Sequence, residues 1–160
     1  MKPPKPKRYE HMSRSERLLA RVVVKWMSRV NTALFRATRG RLGARFLGGE
    51  QVLLLTTRGK KSGKPRTVPL IYIEHGAALV VVASKGGWPE HPLWYSNLVA
   101  DPNVEVQIGE RRQSRRARTA TDDEHKLLWP QLCQVYPPYQ DYQDVTDRRI
   151  PVVMLEESAG

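Results

Sequence analysis

Five basic residues crowd one short turn. In "LLLTTRGKKSGKPRTVPLIY", residues 53–72, an apolar run breaks into Arg58, Lys60, Lys61, Lys64 and Arg66, and then a second apolar run begins. No acidic residue lies between Arg58 and Arg66. Charged donors, the Ser62 hydroxyl, and Gly59 and Gly63, which allow close backbone approach, make a set able to hold a phosphate or several carboxylates. It is not a P-loop, since the G-x-x-x-x-G-K-[ST] spacing is missing. A solvated hairpin whose edge lysines discourage aggregation would use the same residues, and the turn alone does not separate the two readings.

Two further stretches carry candidate binding groups. In "VVVASKGGWPEHPLWYSN", residues 80–97, an apolar strand runs into Ser84, Lys85, Gly86 and Gly87. A polar pair at a strand end followed by glycines brings backbone N–H groups to a ligand, and Trp88, Trp94 and Tyr95 can wall a flat ring. An ordinary loop with a core tryptophan is the alternative, and Trp94 belongs to the core in either case. In "YPPYQDYQ", Tyr136, Tyr139 and Tyr142 recur every three residues and share a face if the piece is helical. Their rings with polar tips suit an aromatic ligand, or they pack beneath the loop.

The conventional catalytic sets are missing. His11, His75, His91 and His125 show no metal-ligand spacing, so no metal site is expected. Cys133 falls on a predicted helix beside Trp129, Leu132 and Val135, the setting of a buried, inert thiol. No G-x-S-x-G occurs. Residues that bind are present and no nucleophile stands out, which favours an enzyme whose chemistry belongs to a cofactor.

The elements that must position these residues follow from periodicity. Strands are predicted at 51–57, 66–74 and 78–84, separated by "RGKKSGKP" and "EHGA". Leu93, Trp94, Asn97 and Leu98 are at helical spacing, and Asp101-Pro102 stops that helix. "NVEVQI" and "QSRRARTA" read as two strands joined by Gly109-Glu110. Thr121 and Glu124 form a capping-box pattern opening a helix that runs to about Val135. "YPPYQDYQDVTDRR" reads as a loop or broken helix, and "IPVVMLEE" as a final strand. Strands this close, with so few helical crossovers, exclude a doubly wound parallel sheet and imply a mainly antiparallel, closed or split barrel.

Charge divides the 160 residues in two. Residues 1–48 hold 13 basic and 2 acidic residues, which accounts for the whole net charge of +11, while residues 49–160 hold 14 of each. The expected organisation is a basic tail, helix and glycine-rich connector over 1–48, then a barrel domain over 49–160. From Ser13 to about Arg39 the helical pattern puts Arg14, Arg17, Arg21, Lys25, Arg29 and Arg36 on one face and Val22, Val23, Trp26, Met27 and Leu34 on the other. Such a helix can lie on an anionic membrane or pack on the barrel. Arg111, Arg112, Arg115, Arg116 and Arg118 form a second cluster. No nucleic-acid module surrounds it, a solvated edge hairpin accounts for most of it, and no nucleic acid partner is expected. No apolar run is long enough to span a bilayer, and no signal peptide is read, which points to the cytoplasm.

The stretches "VVVKWMSRVNT", "LLLTTRGKKSGKPRTVPLIY", "VVVASKGGWPEHPLWYSNLVADPNVEVQI" and "WPQLCQVYPPYQDYQDVTDRRIPVVMLE" together resemble the deazaflavin-dependent nitroreductases, the coenzyme F420-dependent quinone and nitro-compound reductases of actinobacteria. The resemblance implies an α+β fold, a mainly antiparallel split β-barrel of the FMN-binding type with an N-terminal amphipathic helix and short connecting helices. It implies coenzyme F420, with FMN in the same fold as the alternative, or a non-catalytic carrier or membrane-binding module. The cofactor-contacting positions it implies are Lys60, Lys61, Ser62, Arg66, Val68, Pro69, Ala83, Ser84, Lys85, Trp94, Tyr95, Asn97 and Tyr139. Ser84 would bond the acceptor's developing oxyanion, Tyr136 would flank the acceptor, and Ile71 and Tyr142 would complete the substrate side. The implied acceptor is a menaquinone-type quinone, reached from the inner face of the membrane through residues 13–39. One departure is Ile71, where the best-known nitroreductase carries a tyrosine. Tyr72 is one position away and so on the opposite strand face, which weighs against nitro-compound activation and leaves quinone reduction.

Overall fold

The computed structural model describes residues 49–158. The helix and connector expected over 1–48 lie outside them. Six antiparallel strands close into a barrel in the order β1-β2-β3-β6-β5-β4. They are β1 (Val52–Arg58), β2 (Pro65–His75), β3 (Ala78–Val82), β4 (Asn103–Ile108), β5 (Arg111–Thr119) and β6 (Val152–Glu157). Three helices accompany them: α1 (Leu93–Ala100), α2 (Asp122–Val135) and α3 (Pro138–Asp144). This is the α+β barrel that the strand spacing and the resemblance imply.

The strand sequences follow from which faces are covered. Leu53, Leu55, Tyr72, Leu79, Val81, Val106, Val153 and Leu155 fill the barrel interior, and Trp94 and Leu98 of α1 plug one end. Val80, Val82, Val152 and Met154 face outward beneath Leu128 and Leu132 of α2 and Tyr139 of α3. Buried on both faces, β3 and β6 read as continuous apolar runs, "ALVVV" and "VVML". In contrast, β5 carries only two buried residues, Arg115 and Ala117, and is otherwise polar.

The arginine-rich segment is not an edge hairpin. Closure pairs β5 with β4 on one side and β6 on the other. The bonding of Arg115 and Arg118 is structural. Buried Arg115 donates through Nη1 to the carbonyls of Ala77 (2.6 Å) and Leu155 (3.3 Å). Arg118 holds Glu124 through its two terminal guanidinium nitrogens at 2.7 Å and reaches Glu156 through Nε at 2.7 Å. Those bonds from Arg118, with the Thr121 N–H, hold the Glu124 carboxyl down at about 2. Thr121 and Glu124 complete the capping box of α2.

The barrel is closed in strand order, but along one seam no two described strands pair. β2 pairs with β1 over its length from Pro65 to Ile71, yet with β3 only from Tyr72 to His75. β3 ends at Val82, level in register with Ile71, and the chain leaves the sheet there. Among the described residues, Pro65–Leu70 therefore has no strand on its β3 side. The Tyr72 N–H points toward β1, to the Gln51 carbonyl at 3.2 Å. By alternation, position 69 would direct its N–H into the seam. Pro69, which has no N–H, costs no ladder bond there. No helix among the described residues is long and apolar enough to cross a membrane.

Candidate active site at the open seam

The antiparallel register gathers the binding segments at one end of the barrel. β1 ends where β2 starts, and β3 ends and β6 starts on the same side of the barrel but level with Ile71, further along β2. The basic turn 59–64, the Ser84 segment and α1 thus share this end, with the open edge of β2 between the first two.

The basic turn is pinned from within. Gly63 N donates to Gly59 O at 2.7 Å and Gly59 N to Lys64 O at 2.9 Å. A Cβ on Gly59 would meet Ser62 Oγ at 2.7 Å. Asn97, buried on α1, accepts from Lys60 N at 3.1 Å through Oδ1 and donates to Thr57 Oγ1 at 3.1 Å through Nδ2. Its side chain is therefore committed to holding the turn on α1. Lys60, Lys61, Lys64 and Arg66 stay exposed, and none pairs with a described carboxylate. Uncommitted cations around a tight turn fit a multiply anionic group.

Across the seam, Ala83 is anchored by its N–H to Pro151 O at 2.9 Å. Ser84 adopts the right-handed region (φ −73°, ψ −42°), and Lys85, Gly86 and Gly87 follow at φ 46°, 61° and 78°. A right-handed residue followed by a left-handed one turns successive N–H groups to one side, a concavity that takes anions. Lys85 is the only non-glycine residue at positive φ among those described, and such strain persists only where surrounding contacts enforce it. Gly87 sits against α3, with no room for a side chain beside the Tyr142 backbone.

The tyrosines gather where α2 meets α3. Tyr136 caps α2, its hydroxyl lies 3.3 Å from that of Tyr142, and its ring centroid is 4.9 Å from that of Tyr139. Burial raises the Tyr136 and Tyr139 pKa values, and for Tyr136 the Tyr142 hydroxyl adds to it. Both phenols therefore remain protonated donors across the neutral range.

The structure thus brings together Lys60, Lys61, Ser62 and Arg66 at the rim, Val68 and Pro69 on the open edge, and Ala83, Ser84 and Lys85 across it. Tyr142 adjoins through Gly87, Tyr136 lies beside Tyr142, and Tyr139 is buried behind them. The other expected residues make further contacts. Trp94 plugs the barrel. Tyr95 turns to the end of β5, where its hydroxyl meets Thr119 Oγ1 at 2.9 Å. Ile71 lies on the outer face opposite Val52, and the β2 residue that packs against the outer cluster beneath α2 and α3 is Ile73. Tyr72 points into the barrel and donates to Gln51 Oε1 at 2.8 Å, on the face opposite Ile71. Sequence reasoning missed Arg148, whose guanidinium grips the Ser84 segment; its only sequence signal, a basic pair before "IPVV", does not say what it touches.

Residues 26–157 match the profile of the family described as "F420H(2)-dependent quinone reductase". An F420H(2)-dependent quinone reductase of Mycobacterium tuberculosis is 41% identical over 142 residues, covering 87% of this chain and 95% of that protein. A second, putative one from the same organism is 43% identical over 115 residues, covering 72% of this chain and 97% of its own length. Among solved structures, an F420-H2-dependent reductase is 46% identical with a TM-score of 0.61, covering 66% of this chain and 93% of that one. With most of its length matched, barrel and rim included, this chain belongs to the F420H(2)-dependent quinone reductase family.

Proposed function

We propose that the open seam is where the protein binds reduced F420 and presents a quinone to it. The activity class is that of the family, an oxidoreductase using F420H2 on quinone-type acceptors. The observation that carries the location is the placing, at the two ends of the Pro65–Leu70 edge, of uncommitted cations and a turn that directs N–H groups to one side. Lys60, Lys61, Ser62 and Arg66 would hold the anionic parts of the cofactor, and Val68, Pro69 and Ala83 its flat apolar part. When bound, the reduced deazaflavin supplies the hydride. Adding hydride to a quinone leaves negative charge on a carbonyl oxygen, and donors aimed at that position lower the barrier. Ser84, through its N–H and hydroxyl, supplies them. Tyr136, kept protonated by burial, flanks the acceptor, and the layer behind Tyr139 excludes water.

Anaerobic mixing of the protein with reduced F420 and menadione tests this, following the return of the oxidised coenzyme's absorbance. Oxidation well above the enzyme-free rate is expected. Ser84→Ala, which removes the hydroxyl and keeps the N–H, is expected to slow it about a hundredfold. Unchanged turnover would remove the hydroxyl from the mechanism, and no turnover with wild-type protein would remove the reading itself.

The arm over residues 13–39 is proposed to hold the enzyme at the anionic inner face of the membrane, where lipid quinones reside. The charge arithmetic supports this, since each basic residue near such a surface contributes about 1 kcal/mol. Sedimentation with anionic liposomes at low salt should retain the full chain. Equal retention of a chain lacking residues 1–48 would dismiss the role.

A further inference from the structure

Arg148 lies 57 to 65 residues from everything it grips. Its Nε donates to Trp88 O at 2.7 Å and its Nη2 to Ser84 O at 2.7 Å. Its Nη1 reaches Ala83 O at 3.3 Å and His91 Nδ1 at 3.2 Å. None of these partners is a carboxylate, and among the described residues none forms an ion pair with this guanidinium. A half-buried cation thus spends its planar fork on the carbonyls of one short segment.

We infer that Arg148 is the positioning residue of the reductase, fixing the Ala83–Trp88 segment so that the Ser84 and Lys85 N–H groups face the ligand as strengthened donors. The inference rests on reading the seam as the cofactor site.

A trans peptide unit points its C=O and the following N–H in opposite directions. The Ala83 carbonyl shares a unit with the Ser84 N–H, and the Ser84 carbonyl shares one with the Lys85 N–H. Gripping both carbonyls from one side turns both N–H groups to the other. The Ser84 N–H donates to no described residue, which leaves it for a ligand. A charge-assisted bond to a carbonyl also polarises its peptide unit, so the opposite N–H donates more strongly to developing negative charge. The same grip explains how Lys85 is kept at φ 46°. Lysine cannot replace it, because a single ammonium on a flexible stem does not span three carbonyls in fixed geometry.

The experiment compares Arg148→Lys and Arg148→Ala with wild type in two readouts. The first is amide hydrogen exchange over Ser84–Trp88 in cofactor-free protein, expected to accelerate in both variants while exchange in β1 and β4 stays slow. The second is steady-state oxidation of reduced F420 by menadione. Here kcat should fall about a hundredfold in Arg148→Ala, the scale of an ångström-level misplacement, with the quinone KM changing far less. Guanidinium chloride at about 20 mM, well below denaturing levels, should restore part of the lost kcat to Arg148→Ala, while equal sodium chloride should not. Wild-type kcat in Arg148→Lys, or a loss in Arg148→Ala that guanidinium does not relieve, would overturn the positioning role. Unchanged exchange would overturn the grip itself. Failure of wild-type protein to oxidise the coenzyme would instead strike the functional reading, and the exchange arm would still decide whether Arg148 shapes the segment.

Discussion

Gly87→Ala is expected to destabilise the protein by about 3 kcal/mol, combining a left-handed backbone with overpacking, and to abolish most reductase activity. The added Cβ would lie 2.6 Å from the Tyr142 carbonyl oxygen and 2.7 Å from Val145 Cγ2. The first is backbone, so no side-chain rotation relieves it. Either α3 moves off the barrel or the Ser84 segment moves off α3. Each outcome separates Ser84 from Tyr136 and Tyr142, so the loss of activity should exceed the loss of folded protein. Gly63→Ala provides the control. Gly63 has φ +64°, but its Cβ would meet nothing within 4 Å. That variant should cost only the conformational part, about 1–2 kcal/mol. Urea unfolding of both variants, with unchanged m-values, measures the difference. Equal costs would mean that the segment is not wedged against α3.

Replacing Lys60, Lys61 and Arg66 together by alanine is expected to weaken F420 binding about a hundredfold, near 1 kcal/mol for each solvated charge. All three are exposed and make no ion pair with a described carboxylate, so their removal should leave unfolding within about 0.5 kcal/mol of wild type. Binding measured by tryptophan fluorescence should weaken with salt in wild type, and much less in the variant, because screening acts on the charges removed. At saturating cofactor kcat should survive, since these side chains are proposed to hold the anionic parts and not the reacting ring. Unchanged affinity at low salt would return the turn to the plainer role of a solvated hairpin.

Much of the barrel was legible because its strands obey simple rules. The runs at 78–82 and 152–155 are apolar throughout because helices cover their outer faces, and the two-residue alternation of β4 survives where one face is solvated. The Thr121–Glu124 cap and the Asp101-Pro102 stop act within a few residues and could be read directly. Parity alone placed Ile71 and Tyr72 on opposite faces. The arginine cluster misled because closure is a long-range property: a polar strand with neighbours on both sides reads like an edge. The site was legible as segments but not as a geometry. Asn97 sits at helical spacing with core residues, yet its amide serves a turn 37 residues away. Arg148 carries no local signal because its partners are all set by tertiary contact.

The seam beside Pro65–Leu70 also bears on solubility. A strand edge with no neighbouring strand among the described residues is a template for any extended chain that drifts past, including a second copy of the same protein. Pro69 removes the hydrogen-bond donor that such a visitor would use first. The charges of Lys64 and Arg66 repel an identical strand arriving in register. The positions proposed to receive an anionic cofactor are thus also the ones that turn other polypeptides away.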